Sequence, residues 1–396
     1  MLGRVTVLWG TLGDGRRSRA IGMAGWLLTI AVLGAVGPLD DSRALGQERR
    51  GAGSGAASGA NAATPAARLR DAYERSRQAR TVDDLTKIIG VCEQALTEGV
   101  SDALNKYGRE LLSWTHNRRG ELLAEQGAEE DALADFHRSV ELDGTRWKAV
   151  HNRGVSLAML GRTQEAIADF TRTISLKPDY PNAYFNRGEL RYDLGDYQAA
   201  IADYDRTIQL APRDGAAFNS RGHAYYMLGD YRRALSDYGE AIRLDPQNAA
   251  AYTNRGDAYV DMGQFQRAAN DYRAAIRIDP NLGRAYQSAA WLMATCPDEQ
   301  FRNPDLAVEA ANKAIELDGE DYHYLDTLAA ALASAGRFDE AIDVQNRVVQ
   351  TAPAEIAGPY NERLELYRSG RPFRAKAVEE AVSSGRGNSP TSRRSF

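Results

Sequence analysis

The chain has 396 residues and a formal net charge of −5 at pH 7, from 49 lysines and arginines against 54 aspartates and glutamates. It therefore lacks the overall basic field by which nucleic-acid-binding proteins attract phosphates, and no nucleic-acid partner is expected. The two cysteines, Cys92 and Cys296, lie far apart in the sequence, so both are predicted to pack as small apolar side chains rather than to form a disulfide.

Residues 1–46 have the pattern of a signal peptide or a membrane anchor. A basic stretch with Arg16, Arg17 and Arg19 precedes an apolar run over residues 20–36. A basic flank before an apolar run is typical of export signals, and a run of about 17 residues is also near the lower limit for a membrane span. We predict an exported bacterial protein, periplasmic or otherwise extracytoplasmic, that is either cleaved free or anchored in the inner membrane through residues 20–36. The alternative is that the apolar run is misleading and the chain is soluble.

The next segment, residues 47–66, is rich in glycine, alanine and serine and predicts a flexible linker with nothing to bury. Residues 67–112 predict a divergent N-terminal helical repeat. Its apolar residues, among them Leu85 and Ile88, recur at helical spacing and mark one buried stripe.

Five regular segments of equal length follow. An arginine–glycine pair recurs every 34 residues, and in the last four segments a second glycine, an alanine, an aromatic residue and a proline follow it at fixed offsets. A period of this size indicates a solenoid, in which each repeat buries its apolar face against its neighbours. The segments cover residues 113–146, 147–180, 181–214, 215–248 and 249–282.

Each regular segment predicts two helices. In the third, apolar residues at helical spacing indicate helices over residues 183–194 and 197–210. Gly195 suits the left-handed position after a helix, and Pro212 cannot continue one. Gly188 lies in mid-helix, where glycine costs about 1 kcal/mol against alanine, so a second helix is expected to approach closely there.

The pattern changes towards the C-terminus. Residues 283–321 keep the repeat but carry a short insertion before the second helix, and residues 322–355 return to a regular segment. A capping helix is predicted over residues 356–382, since a solenoid needs a polar outer face at its end. Residues 383–396 are rich in serine, glycine and arginine and predict a disordered tail.

These offsets resemble the tetratricopeptide repeat (TPR), most strongly over residues 113–282 and more loosely over 67–368. A run from Trp291 to Pro297, with Thr295-Cys296-Pro297 at its end, is similar to one found in bacterial TPR chains. The resemblance implies an all-α fold, namely a right-handed superhelical solenoid of antiparallel helix pairs, about seven or eight in number, with a C-terminal capping helix.

Charged residues follow the same register. An arginine precedes each glycine of the first helix, and an aspartate precedes each aromatic residue of the second, always 16 positions later. Because the helices of a pair are antiparallel, these side chains are predicted to meet as partly buried ion pairs, a structural ladder. The alternative is that the arginines bind acidic ligands. The residues are Arg119, Asp135, Arg153, Asp169, Arg187, Asp203, Arg221, Asp237, Arg255 and Asp271.

The resemblance also implies a concave groove lined by the first helix of each pair, which accepts a peptide or a partner helix of another protein. Aromatic and amide groups mixed with carboxylates favour a basic or amphipathic peptide there. The alternative is a solvated polar surface whose tyrosines serve packing. The predicted groove residues are Lys148, Asn152, Asn182, Phe185, Asn186, Glu189, Tyr192, Asn219, His223, Tyr226, Asn254, Asp257 and Asp261.

No residues remain to form an active site. None of the five histidines has another histidine or a cysteine at metal-binding spacing, and every glycine of the repeats is accounted for by the register. We therefore predict no enzyme, no metal and no cofactor. The predicted function is a protein–protein interaction scaffold; the alternatives are a non-catalytic organising subunit of a cell-envelope complex for secretion, wall synthesis or outer-membrane assembly, or a regulator whose catalytic partner is a separate chain.

Overall fold

The structure, a computed structural model, describes residues 64–376. These residues form 17 α-helices and two short 3₁₀ helices, with no β-strand. The predicted signal or anchor over residues 1–46, nearly all of the linker and the predicted tail over 383–396 lie outside the described residues. No helix between residues 64 and 376 has both the length and the apolar character that a membrane span requires.

The chain divides into two compact units, with the boundary between Lys177 and Pro178. The N-terminal unit contains α1 (Pro65–Ser76), α2 (Val82–Leu96), α3 (Asp102–Glu125), α4 (Glu129–Leu142), α5 (Trp147–Met159) and α6 (Thr163–Leu176). The C-terminal unit contains α7 (Pro181–Asp193), α8 (Tyr197–Leu210), α9 (Gly215–Met227), α10 (Tyr231–Leu244), α11 (Ala249–Asp261), α12 (Phe265–Ile278), α13 (Gly283–Thr295), α14 (Pro304–Asp318), α15 (Tyr322–Ser334), α16 (Phe338–Thr351) and α17 (Ala357–Arg368).

Consecutive helices pack as antiparallel pairs. In α3–α4 the Ser113 and Ser139 hydroxyls lie 3.0 Å apart, whereas Arg119, later in α3, donates to Asp135, which comes earlier in α4. Because the contact position moves towards the C-terminus of one helix and towards the N-terminus of the other, the two helices are antiparallel. We call the first helix of each pair the A helix and the second the B helix. The predicted all-α fold of consecutive helix pairs is confirmed.

A glycine sets the turn inside each regular pair. After α7, Gly195 has a φ of +79°, and its N–H donates to the Tyr192 carbonyl at 2.8 Å, while the Asp196 N–H donates to the Arg191 carbonyl at 2.9 Å. This is a Schellman motif, which requires the left-handed conformation that glycine adopts without steric cost. The Asp196 carboxylate then accepts from the Ala199 N–H at 3.2 Å and caps α8.

The A and B helices of a pair meet closely at the mid-helix glycine. A β-carbon placed on Gly188 would lie 2.8 Å from Cε1 of Tyr204, and one on Gly256 would lie 2.5 Å from Cε1 of Tyr272. Tyr204 is fully buried, as is Ala200 one turn before it. The glycine therefore lets the B-helix ring pack directly on the A-helix backbone, which compensates for its poor helix propensity.

Two predicted boundaries need correction. The first helix begins at Pro65, because Thr64 accepts a hydrogen bond from the Ala67 N–H and Pro65 suits the first helical position, so the predicted linker ends earlier than residue 66. Of the capping helix predicted over residues 356–382, the described part, up to residue 376, contains one α-helix, α17. It stops at Arg368 because Gly370 takes a φ of +66°, and residues 371–376 are not helical.

The insertion between α13 and α14 contains one turn of 3₁₀ helix, Glu299–Phe301, whose phenylalanine packs 5.8 Å from the Phe265 ring. It starts at Cys296, which is buried and free, as is Cys92. Burial raises the pKa of the Cys92 thiol to about 12, so this thiol stays protonated and behaves as a small apolar group.

Candidate functional site

The ladder arginines and aspartates are joined by two-pronged hydrogen bonds. In every pair the Nε and Nη2 atoms of the arginine donate to the two carboxylate oxygens of the aspartate, at distances from 2.7 to 3.0 Å. All five aspartates are buried. The pairs are Arg119–Asp135, Arg153–Asp169, Arg187–Asp203, Arg221–Asp237 and Arg255–Asp271. Two donors of each arginine are therefore committed inside the chain and unavailable to an acidic ligand.

In Arg119 and Arg221 the remaining guanidinium nitrogen links neighbouring repeats. Nη1 of Arg221, on α9, donates to Asp205 on the preceding α8 at 2.6 Å, while its other nitrogens bond Asp237 on α10. In the N-terminal unit, Nη1 of Arg119 likewise reaches Thr86 on α2 at 2.9 Å. One arginine thus connects three helices, which the constant spacing in the sequence did not reveal.

Aromatic rings flank the same guanidinium groups. Arg187 lies over the Tyr184 ring at 5.9 Å, Arg221 over Phe218 at 5.5 Å and Arg255 over Tyr252 at 5.5 Å. The ring comes three positions before the arginine in each case, so it lies one turn away on the same helix face. These contacts add cation–π attraction to the ion pairs.

Several predicted groove residues do not face solvent. Asn152, Asn186, Asn219, Asn254 and Asp257 are all buried. The Asn254 amide donates to the Asn219 carbonyl oxygen at 3.0 Å, which ties α11 to α9. Their assignment to an open surface needs correction, because adjacent A helices pack side by side and cover this face of each helix.

A cation outside the predicted set occupies this interface. Arg284 on α13 donates to Oδ1 of Asn254 at 2.7 Å and to Oδ2 of Asp257 at 2.9 Å. The equivalent positions 34 and 68 residues earlier are Ala250 and Ala216. An arginine where the earlier repeats have alanine is therefore the sequence signal from which the role of Arg284 could have been predicted.

Three of the other predicted groove residues, Lys148, Asn182 and Phe185, lie apart from the rest. Lys148 lies in the N-terminal unit with its Nζ atom 5.6 Å from the Trp147 ring centroid. In the C-terminal unit, Asn182 and Phe185 are half-buried on α7, and Phe185 packs against Tyr204 with ring centroids 6.0 Å apart. Phe185 therefore contributes to packing inside the helix pair.

Six side chains near the C-terminal ends of α7, α9 and α11 are half-buried or exposed, and four of them are in contact with one another. The Tyr192 and His223 rings stack with centroids 5.1 Å apart, and Tyr226 follows at 6.2 Å from His223. The Tyr226 hydroxyl donates to Asp261 at 2.7 Å. We call this surface the aromatic–acidic strip; its members are Glu189, Tyr192, Asp193, His223, Tyr226 and Asp261.

The strip is acidic, and its histidine is uncharged. Burial, and secondarily the positive charge of Arg284, lowers the pKa of His223 to about 3, so its imidazole is neutral at pH 7. Burial raises the pKa of Glu189 to about 7 although the Tyr204 hydroxyl donates to it at 2.7 Å. Partial desolvation by the neighbouring protein also raises the pKa of Asp193, which keeps accessible area and forms no salt bridge with residues 64–376. The strip is thus electrostatically suited to a positively charged ligand.

Glu189→Gln is expected to raise the free energy of unfolding by about 3 kcal/mol at pH 8 and to change it little at pH 4. The pKa of Glu189 is 4.5 in the unfolded chain and about 7 in the folded protein. Between these pH values the folded protein therefore keeps a proton that the unfolded chain has lost. Stability contributed by this group is present below pH 4.5 and is lost as the pH rises to 7. Glutamine stays neutral and still accepts the Tyr204 hydroxyl, so it removes that loss.

Urea unfolding at pH 4, 6 and 8 measures this effect. The matched control is Glu240→Gln, because the half-buried carboxylate of Glu240 pairs with the exposed Arg243 on α10. A Glu189→Gln difference that is the same at all three pH values would contradict the assigned protonation.

The geometry of the helix pairs agrees with family models. One model described as tetratricopeptide repeat matches residues 151–215 and 299–356. A second model with the same description matches residues 249–282. A third, described as TPR repeat, matches residues 222–263. The chain carries tetratricopeptide repeats. The TPR matches fall in both units and include the helices that carry the aromatic–acidic strip.

Solved structures of other TPR-like chains are similar at low identity. MamA from residue 41 onwards, from Desulfovibrio magneticus RS-1, is 20% identical and aligns 42% of this chain with 95% of its own, at a TM-score of 0.41. YrrB, described as a TPR protein with an unusual peptide-binding site, is 23% identical over 43% of this chain and 88% of its own, at 0.39. PilF of Pseudomonas aeruginosa is 16% identical over 56% and 99%, at 0.48. A search of the curated proteins finds no match.

Within residues 64–376, no group of three or more histidine, cysteine, aspartate or glutamate side chains is arranged to hold a metal ion. The polar groups that do cluster are engaged with one another in the ladder and between the A helices. The aromatic–acidic strip is therefore the candidate functional site, and its chemistry is recognition by charge and ring contact.

Proposed function

We propose that this TPR chain is a protein-interaction scaffold whose C-terminal unit binds an extended basic peptide segment along the aromatic–acidic strip. The observation that carries the proposal is the combination of exposed carboxylates on α7 and α11 with a row of rings, Tyr192, His223 and Tyr226, on α7 and α9. Asp193 and Asp261 are exposed at the two ends of this row. Arginine and lysine side chains have a cationic head for such carboxylates and an apolar stem that lies along aromatic rings.

The dimensions support a short peptide. Neighbouring packed helices lie about 8–10 Å apart, so three A helices span about 20 Å. An extended chain covers about 3.3 Å per residue, so about six residues cross the strip. Alternate side chains of an extended peptide point the same way, which lets two cations reach Asp193 and Asp261 while the backbone passes over Tyr192 and Tyr226.

Synthetic peptides of equal length test the proposal on the full chain. One alternates leucine with arginine, one leucine with glutamate and one leucine with serine, and binding is followed by fluorescence anisotropy. The arginine peptide is expected to bind at least tenfold more tightly than the other two, and its affinity should fall with added salt because exposed carboxylates are screened.

A paired variant locates the site. Asp193→Asn with Asp261→Asn is expected to weaken binding of the arginine peptide about tenfold, since two exposed charge contacts are lost. The control is Glu240→Gln with Glu316→Gln, which removes a half-buried and an exposed carboxylate from the B helices α10 and α14. Equal affinities of the two variants would rule out the strip as the binding surface.

A further inference from the structure

The exposed face of the B helix α12 is positively charged. Its exposed charged side chains are Arg267, Arg273 and Arg277. The acidic residue of this helix, Asp271, is buried and paired with Arg255. The three exposed arginines form no salt bridge with residues 64–376, and the hydrogen bonds that Arg267 and Arg273 donate go to neutral groups nearby. Their charges are therefore available to a partner outside the chain.

The next B helix, α14, has an exposed face of the opposite charge. Asp305, Glu309 and Glu316 are exposed on it. The cation of this helix, Lys313, already pairs with Glu316 at 2.8 Å. Asp305 and Glu309 are one helical turn apart and form no salt bridge with the described residues. The exposed charge thus changes sign between two successive B helices.

The helices α12 and α14 both pack against α13 and share a register. Leu292 of α13 lies in one apolar cluster with Tyr272 of α12, and Ala290 of α13 lies in another with Ala311 of α14. Tyr272 and Ala311 are 39 positions apart, which is one 34-residue repeat plus an insertion of five residues. With this register each arginine of α12 lies within about one helical turn of the height of an acidic residue on α14: Arg267 with Asp305, Arg273 with Glu309, and Arg277 with Glu316.

A partner for this double face must carry both signs of charge. A polyanion would be attracted by α12 but repelled by the acidic helix beside it, and a polycation would meet the reverse. A second copy of the chain offers both signs at the right spacing. A twofold axis that runs parallel to α12 and α14, midway between them, places α12 of each copy over α14 of the other. This rotation does not change heights along the helices, so basic and acidic residues of equal height face each other.

We propose that two copies of the chain associate through the exposed faces of α12 and α14 in a twofold-symmetric dimer. The three arginines of each copy then pair with the three acidic residues of the other, which gives six ion pairs. Leu306, 47% exposed on α14, is at the height of Arg267, so it can pack against the apolar stem of the partner's Arg267. The aromatic–acidic strip lies on A helices, so this inference is independent of the proposed function.

The area and the chemistry of this interface predict a weak dimer. Each helix is about 20 Å long and about 10 Å across, so the two faces bury about 800 Å² in total, in the range of transient complexes. Exposed ion pairs each contribute little, so we expect a dissociation constant of about 100 μM at low salt. It should rise about fivefold between about 50 mM and about 500 mM NaCl because salt screens exposed charges.

Sedimentation equilibrium of the full chain, at concentrations up to about 500 μM, measures this association. The basic-face variant carries Arg267→Glu, Arg273→Glu and Arg277→Glu, and the acidic-face variant carries Asp305→Lys, Glu309→Lys and Glu316→Lys. Each variant alone brings like charges together and should stay monomeric. An equimolar mixture of the two should form a heterodimer about as tightly as wild type, because half of the six pairs are native and the other half have their signs exchanged.

The control variant has the same net charge as the basic-face variant but leaves both faces intact. It carries Arg75→Glu, Arg138→Glu and Arg368→Glu, at exposed sites of α1, α4 and α17, and should dimerise like wild type. Loss of the dimer in this control would assign the effect to net charge and overturn the proposal. Circular dichroism of each variant shows that it folds like wild type.

Three further results would overturn the proposal. One is a wild-type chain that is monomeric at about 500 μM, and another is a dimer that either face variant retains. The third is a mixture of the two correctly folded face variants that stays monomeric. If a monomeric wild-type chain binds vesicles of anionic phospholipid and the basic-face variant does not, the arginines of α12 serve an anionic surface instead of a second copy.

Discussion

Asp203→Ala is expected to lower the free energy of unfolding by about 3–5 kcal/mol, the loss that follows when one partner of a buried ion pair is removed. Asp203 is 3% exposed and accepts from both Arg187 and Arg191, so the substitution leaves two guanidinium groups without their carboxylate. The measurement is the urea midpoint and slope followed by circular dichroism, which report stability and the surface exposed on unfolding.

Two comparisons make this result specific to the ladder. Glu240→Ala breaks an exposed pair with Arg243 on α10 and should cost less than about 1 kcal/mol. The double variant Arg187→Met with Asp203→Leu replaces both charges by apolar groups and should recover part of the loss. If the free energy of unfolding of the Asp203→Ala variant equals that of the Glu240→Ala variant, the ladder ion pairs do not stabilise the fold.

Gly256→Ala and Gly239→Ala are expected to change stability in opposite directions. Both glycines lie inside helices, where alanine is favoured by about 1 kcal/mol. A β-carbon at Gly256 would lie 2.5 Å from the Tyr272 ring, whereas one at Gly239 meets nothing within 4 Å. The Tyr272 hydroxyl donates to Asp257 at 2.8 Å, so the ring is held in place and cannot move aside freely. Gly256→Ala should therefore destabilise by about 1–3 kcal/mol, and Gly239→Ala should stabilise by about 0.5–1 kcal/mol.

Thermal unfolding of the two single variants and of the double variant measures these effects. The sites are in different helix pairs, so their contributions should add. Stabilisation by both substitutions would mean that the A and B helices separate enough to admit a methyl group, and the close approach at the mid-helix glycine would be refuted.

The helix pairs and the ladder could be predicted because both depend on local, repeated chemistry. Gly195 and Pro212 end helices through their own backbone preferences, and a constant separation between Arg187 and Asp203 requires only that the two helices be antiparallel. Whether an A-helix position faces solvent depends on the neighbouring A helix, about 34 residues away, and on the angle at which it packs. Asn186 and Asn254 were therefore placed in an open groove although the structure buries them.

The repeat register predicts the strip only in part, and it does not predict the segment after α17. Tyr192, His223 and Tyr226 were predicted as groove residues, but the stacking between them depends on helix spacing that the sequence does not contain. Phe373 and Arg374 lie beyond the last repeat, where there is no period to extrapolate, and they were assigned to a helix. Their contacts with Trp291 and Ala294 cross about 80 residues of sequence and follow from tertiary packing alone.

The three-helix contact of Arg221 has a mechanical consequence. Its guanidinium group joins Asp205 on α8 to Asp237 on α10, so a load applied along the chain passes through one side chain from one repeat to the next. In a solenoid the response to tension depends on how strongly neighbouring repeats are coupled compared with the strength of each repeat alone. An arginine that bridges two repeats in this way raises their coupling, so the repeats on either side of Arg221 are expected to yield together under tension.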